Sequence, residues 1–163
     1  MTVLTRLAAD EYRRRKASGD AAVAEGRFDR GQGEKLLRVW LSIALTTGAR
    51  PADCDALLGY WQEERKLSDV YARHILLEQG PRRTVWQAEL TRARNAAGTK
   101  ARAAVQDLGG EGWEDNPASS SEAVGRKQRA LDLSLRHHAL DSLAIHLGCP
   151  PEFESQPEQR KAA

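Results

Sequence analysis

Between Glu34 and Gly48 the polar side chains Glu34, Arg38, Ser42 and Thr46 recur at every fourth position, and almost everything between them is apolar. On a helix that spacing makes one narrow polar stripe, so neighbours must cover most of the remaining cylinder. This segment predicts a packed helical protein. Ahead of it, residues 3–17 predict a helix with Leu4, Leu7, Ala8 and Tyr12 on one face, and Gly19 is placed to end it. Residues 20–25 read as one short turn closed by Gly26. Asp29 stands three residues before Gln32, a capping-box spacing that opens the central helix, and Gly48 closes it.

Pro51 suits the first turn of the next helix. Cys54, Leu57, Leu58 and Trp61 follow at i, i+3, i+4 and i+7, an amphipathic face. Ser68 either starts a separate helix, with Val70, Tyr71, Ile75 and Leu76 inward, or lies within one helix over 53–79; Gly80-Pro81 is the stop in both cases. Residues 83–108 carry the longest pattern. Trp86, Leu90, Ala93, Ala97, Ala101, Ala104 and Leu108 form a nearly heptad seam built largely of alanine, which lets a partner helix approach closely. Gly98-Thr99 weakens its middle by about 1 kcal/mol relative to Ala and is a candidate break. Residues 109–121 read as a linker, with Trp113 expected to fold back onto its own domain. Ser119 and Glu122 form a second capping box. The last helix then runs to Gly148, with Val124, Leu131, Leu135, Ala139, Leu143 and Leu147 on one face, widened by Leu133, Leu140 and Ala144. Pro150-Pro151 stops it, and 149–163 read as a polar tail.

The expected architecture is therefore all-α: a bundle of about five to six helices with a long Ala-rich pair. A domain over 1–108 and a linker over 109–121 precede a C-terminal helix, 122–148, that packs on the domain or on a partner subunit. The core is thin: Leu, Ile, Val and Phe total 31 of 163 residues, while Ala alone supplies 25. A net charge of only +2 and good phasing still favour folding, with Trp40, Trp61, Trp86 and Trp113 carrying much of the buried area. Charge alternates in blocks: +4 over 1–50, −3 over 51–80, +4 over 81–108 and −3 over 109–163. Such alternation suits a protein that touches itself or a mixed partner better than a uniformly basic DNA clamp.

Candidate chemistry is sparse. His137, His138, Asp141 and His146 are the nearest approach to a ligand cluster, but a zinc site needs ligands from another segment and the only other histidine is His74. Cys54 and Cys149 make no disulfide or metal framework and read as buried thiols. No nucleophile motif or phosphate-cradling glycine loop is present, so neither an enzymatic site nor a cofactor is expected. The basic residues Arg82, Arg83, Arg92, Arg94, Lys100 and Arg102 are the candidate nucleic-acid contacts. No run of about 18 apolar residues exists, so no membrane span is expected, and the amino terminus turns acidic too soon for a signal peptide; the expected location is cytoplasmic.

Two stretches carry resemblances. Residues 23–30 (Val-Ala-Glu-Gly-Arg-Phe-Asp-Arg) with 37–44 (Leu-Arg-Val-Trp-Leu-Ser-Ile-Ala) resemble a pattern in small helical proteins encoded by prophages. Arg129-Ala130-Leu131 with Ala139-Leu140-Asp141-Ser142-Leu143-Ala144-Ile145-His146-Leu147-Gly148 is similar to the C-terminal helical stretch of phage small terminase subunits. That resemblance implies an oligomeric helical protein that binds DNA to start genome packaging, and it carries no site residue across. The sequence thus points to a non-enzymatic interaction or accessory protein that self-associates or holds another protein, with a nucleic-acid-associated role as the alternative.

Overall fold

In the computed structural model, which describes residues 1–110, 112–115 and 120–152, helices are the only regular elements among the described residues. They are α1 (Val3–Ala24), α2 (Arg30–Thr46), α3 (Pro51–Cys54), α4 (Ala56–Glu64), α5 (Asp69–Glu78), α6 (Arg83–Gln106) and α7 (Ser121–His146). The fold is an all-α bundle. α6 and α7 form the most extensive pairing, α1 packs on α2 and α7, and α2 touches α6 and α5. The core lies where the four long helices meet. Ala8, Ala9 and Tyr12 come from α1; Trp40, Ile43 and Ala44 from α2; Trp86, Leu90, Ala93 and Ala97 from α6; Leu140, Leu143 and Ala144 from α7.

Caps explain most of the helix starts. The side chains of Thr2, Asp29, Asp55, Ser68 and Ser120 each accept from a backbone N–H in the first turn that follows. Ser120 holds the place expected for Ser119, which lies outside the described residues. α1 runs on through Gly19, contrary to its expected end there. The Lys16–Asp20 ion pair at i, i+4, 2.7 Å, bridges that turn, and the chain leaves the helix only at Gly26, whose φ of 68° a side chain disfavours.

Between 51 and 79 the chain makes three helices. Asp55 adopts extended backbone and caps α4 through Leu57 N, so Cys54 belongs to a different helix from Leu57, Leu58 and Trp61. The expected apolar face is therefore split: Cys54 is buried, whereas Leu57 is 73% exposed. Ser68 does start a separate helix, but α5 buries Ala72 and turns Val70 and Tyr71 outward. Ser42, expected on the outward stripe of α2, is buried beneath Gly80, where a Cβ would stand 2.4 Å from its Oγ. Glu34, Arg38 and Thr46 are exposed as expected.

The alanine seam of α6 is covered by α7 of the same chain, and α6 is unbroken at Gly98-Thr99. Gly98 is buried because His137 and Glu152 lie over it; a Cβ there would stand 2.9 Å from His137 Nε2 and 2.7 Å from Glu152 Oε1. On α7 the inward line is Ala130, Leu140, Leu143 and Ala144. Val124, Leu131 and Leu135, expected on the apolar face, are exposed, because at about 100° per residue they lie on the opposite side of the helix from that line. Residues 149–152, expected as the start of a polar tail, are fastened to α6. Arg94 Nη1 donates to Pro150 O at 2.7 Å, and Arg102 Nη1 donates to Glu152 Oε1 at 3.0 Å. The rest of that tail, 153–163, lies outside the described residues. No helix among the described residues is long and apolar enough to cross a membrane.

Two glycines inside helices predict opposite responses to alanine. A Cβ at Gly19 meets nothing within 4 Å, so Gly19→Ala should stabilise by about 0.5–1 kcal/mol through helix propensity. A Cβ at Gly59 would stand 2.9 Å from Ala52 Cβ and 3.2 Å from Ala52 Cα, a backbone atom of α3. Gly59→Ala should destabilise by about 1–3 kcal/mol. Thermal unfolding of the two variants should shift Tm in opposite directions.

Candidate functional site

The six basic residues singled out along 82–102 do not form one surface. At about 100° per residue these positions fan around the whole cylinder. Arg94 is 0% exposed: its guanidinium donates to Pro150 O and to Asn95 Oδ1, and stands 3.8 Å from Asp141. Arg92 is held by Glu89 at 2.8 Å, Arg102 by Glu152 at 3.0 Å, and Arg83 reaches Leu147 O at 3.4 Å. Only Arg82 and Lys100 stay without an ion pair or side-chain hydrogen bond among the described residues. Arg94 is thus a buried structural cation, and the expected strip of phosphate contacts is dispersed.

Lys100 instead belongs to a groove. Toward the C-terminal end of α6, a cavity of about 500 Å³ lies between the two long helices. Its α6 wall is Lys100, Ala103, Ala104, Asp107 and Leu108; its α7 wall is Arg126, Arg129, Leu133 and Arg136. Each set is a single helical stripe: 100, 103, 104, 107 and 108 on one helix, and 126, 129, 133 and 136 on the other. The floor is apolar and the rim holds four cations against one carboxylate. Lys100, Arg126 and Arg129 are exposed and lack an ion pair among the described residues. The sequence did carry this signal, as the Arg126, Arg129, Leu133, Arg136 stripe, but on the side of the helix opposite Leu131 and Leu135, which were expected to be apolar and inward.

Arg136 joins the groove to a buried ion network. Glu11 Oε1 accepts from Arg14 Nη2 at 2.8 Å, Arg15 Nε at 2.8 Å and Arg136 Nη2 at 3.1 Å, and Glu11 Oε2 accepts from Arg14 Nε at 2.9 Å. Arg15 lies over the buried Trp40 ring, 3.8 Å from its centroid, and 3.8 Å from Glu89. Glu89 in turn accepts from Trp40 Nε1 at 3.4 Å and binds Arg92. Four guanidinium groups therefore share two carboxylates, and the buried Nε of Arg136 has no acceptor among the described residues. The cluster carries surplus positive charge at the inner end of the groove.

A second surface contrasts with the first. α4 buries only Gly59, and it presents Leu57 (73% exposed) and Tyr60 (66% exposed) beside Glu63 and Glu64. Val70 and Tyr71 extend the apolar exposure onto α5. Scattered exposed apolar side chains are ordinary; on α4, Leu57 and Tyr60 stand together in solvent while Leu58 and Trp61 are half-buried.

The other candidates resolve structurally. Trp113 is 8% exposed and folds back on α7, lining a cavity with Val124, Lys127, Gln128 and Leu131. His137 Nε2 is hydrogen-bonded to Glu152 Oε2 at 2.9 Å, His74 pairs with Glu78, and His146 is exposed at the end of α7. No group of three or more His, Cys, Asp or Glu among the described residues is placed to hold a metal. Cys54 and Cys149 are both buried and unpaired, and burial pushes the Cys54 thiol up to about 12. Comparison with family models, with curated proteins and with solved structures finds no match for this chain.

Burial acts to raise the Glu11 pKa, but the hydrogen bond from Arg14 and the charges of Arg15, Arg136 and Arg14 outweigh it and hold the carboxyl below its ordinary 4.5. A depressed carboxyl stabilises the fold fully above its unfolded value, and that stability is lost as pH falls through the folded one. Glu11→Gln should cost about 3 kcal/mol near neutrality, since it strands buried cations. Urea titrations between neutral pH and pH values well below 4.5 should show the native protein losing more stability on acidification than the variant.

Proposed function

We propose that this chain is a non-enzymatic interaction protein and that the groove between α6 and α7 is its receptor surface for an acidic partner. The observation that carries the reading is the pairing of a cationic rim with an apolar floor. Lys100, Arg126, Arg129 and Arg136 surround Leu133, Ala103, Ala104 and Leu108. An amphipathic acidic segment satisfies both parts at once, laying its apolar side on the floor and its carboxylates on the rim. The alternating charge blocks agree, because each basic block has an acidic block of matching size to meet. An accessory role in a prophage setting is the context that the sequence resemblances favour.

The second reading, a nucleic-acid-associated protein, rests on the three rim cations without an ion pair. It requires Lys100, Arg126 and Arg129 in place of the wider set on α6. The groove offers no aromatic platform for bases, so contact would be to phosphates alone.

The test is the exposed pair Arg126→Glu/Arg129→Glu. The native protein should be retained on a heparin matrix and the variant should elute at clearly lower salt; equal elution would remove the groove from the reading. A labelled duplex and a single-stranded oligonucleotide, titrated near ~50 mM salt, separate the two readings. Binding that the variant loses favours nucleic acid, and none by the native protein favours the acidic protein partner.

A further inference from the structure

We infer that the acidic partner is α4 of a second copy of this chain, so that copies associate head to tail, α4 of one in the α6–α7 groove of the next. The inference rests on the groove reading above and names its occupant.

Three observations meet in it. The first is charge. Residues 51–80 carry six acidic and three basic groups, and among the described residues Glu63 and Glu64 of α4 have no ion pair. The groove carries the opposite excess, with the orphaned Arg136 Nε at its inner end. The second is apolar match. Leu57, Tyr60 and Glu64 stand at i, i+3 and i+7 on α4, one face that its own chain leaves in solvent. Leu133 and Leu108 are half-buried on the groove floor, where such a face would cover them. The third is length. The nine residues of α4 span about 14 Å. The cationic stripe from Arg126 to Arg136 spans about 15 Å along α7.

An acidic face does not pair with itself, because like charges set opposite one another repel. Each copy therefore has one donor and one receptor surface, and the angle of the contact decides whether two copies close reciprocally or assembly continues into a larger ring or a filament. The alanine seam takes no part, since α7 already covers it.

Two variants test this, each altering only exposed side chains: Leu57→Lys/Glu64→Lys on α4 and Arg126→Glu/Arg129→Glu in the groove. Circular dichroism first establishes that both keep the native helix content. In sedimentation velocity near ~50 mM salt the native protein should gain mass with concentration, and added salt should reverse it. Each variant alone should associate at least tenfold more weakly. An equimolar mixture should recover a one-to-one dimer and nothing larger, since one intact donor and one intact receptor remain. A native protein that stays monomeric overturns the inference, as does an α4 variant that associates like the native chain, or a mixture that forms no dimer. The groove reading is judged separately: the α4 variant keeps both groove arginines and should remain on the heparin matrix.

Discussion

The carboxylate of Glu11 is where the bundle is joined. It takes hydrogen bonds from two arginines of its own helix and from Arg136 of α7, and through Arg15 it is linked to the Trp40 ring of α2 and the Glu89 carboxylate of α6. All four long helices therefore meet at one charge. A buried ion cluster is a poor source of net stability, because desolvation consumes most of the attraction. It is a strong source of register: α1, α2, α6 and α7 can slide past one another only by uncovering a charge. In a core where alanines sit among Trp40, Ile43, Trp86, Leu90, Leu140 and Leu143, that constraint adds to the packing of the large apolar residues.

The small residues have a second effect. Ala93, Ala97, Gly98 and Ala101 let α6 and α7 lie close over the middle of their length. Toward the C-terminal end of α6 and the N-terminal end of α7, Lys100, Leu108, Arg126, Arg129 and Leu133 border a groove instead. The same pair of helices is thus a sealed seam at one end and an open groove at the other, and the change follows the replacement of small apolar side chains by larger and charged ones.

Much of this was legible in the residues. The phasing of α2 located the central helix, Gly48 and Gly148 marked true ends, and the alanine seam announced a close helix pair. The misses have physical causes. Asp55 reads as a helical position by periodicity, yet its side chain caps the following helix and divides the segment. Ser42 reads as solvent-facing, but a glycine far along the chain makes the space that covers it. The six basic residues along 82–102 were counted by composition, which ignores the turn that scatters them. The cations of the groove come from two helices some thirty residues apart, and no single stretch of sequence displays them together.

Arg94 lies wholly inside the protein, and its shortest hydrogen bond, 2.7 Å, is to the carbonyl of Pro150. The order of synthesis gives this pairing a temporal meaning. While the chain emerges from the ribosome, each of the seven described helices is made before the segment that receives this guanidinium. Until residues 149–152 have cleared the exit tunnel, Arg94 lacks its Pro150 acceptor, and burying it earlier would leave that donor unmet.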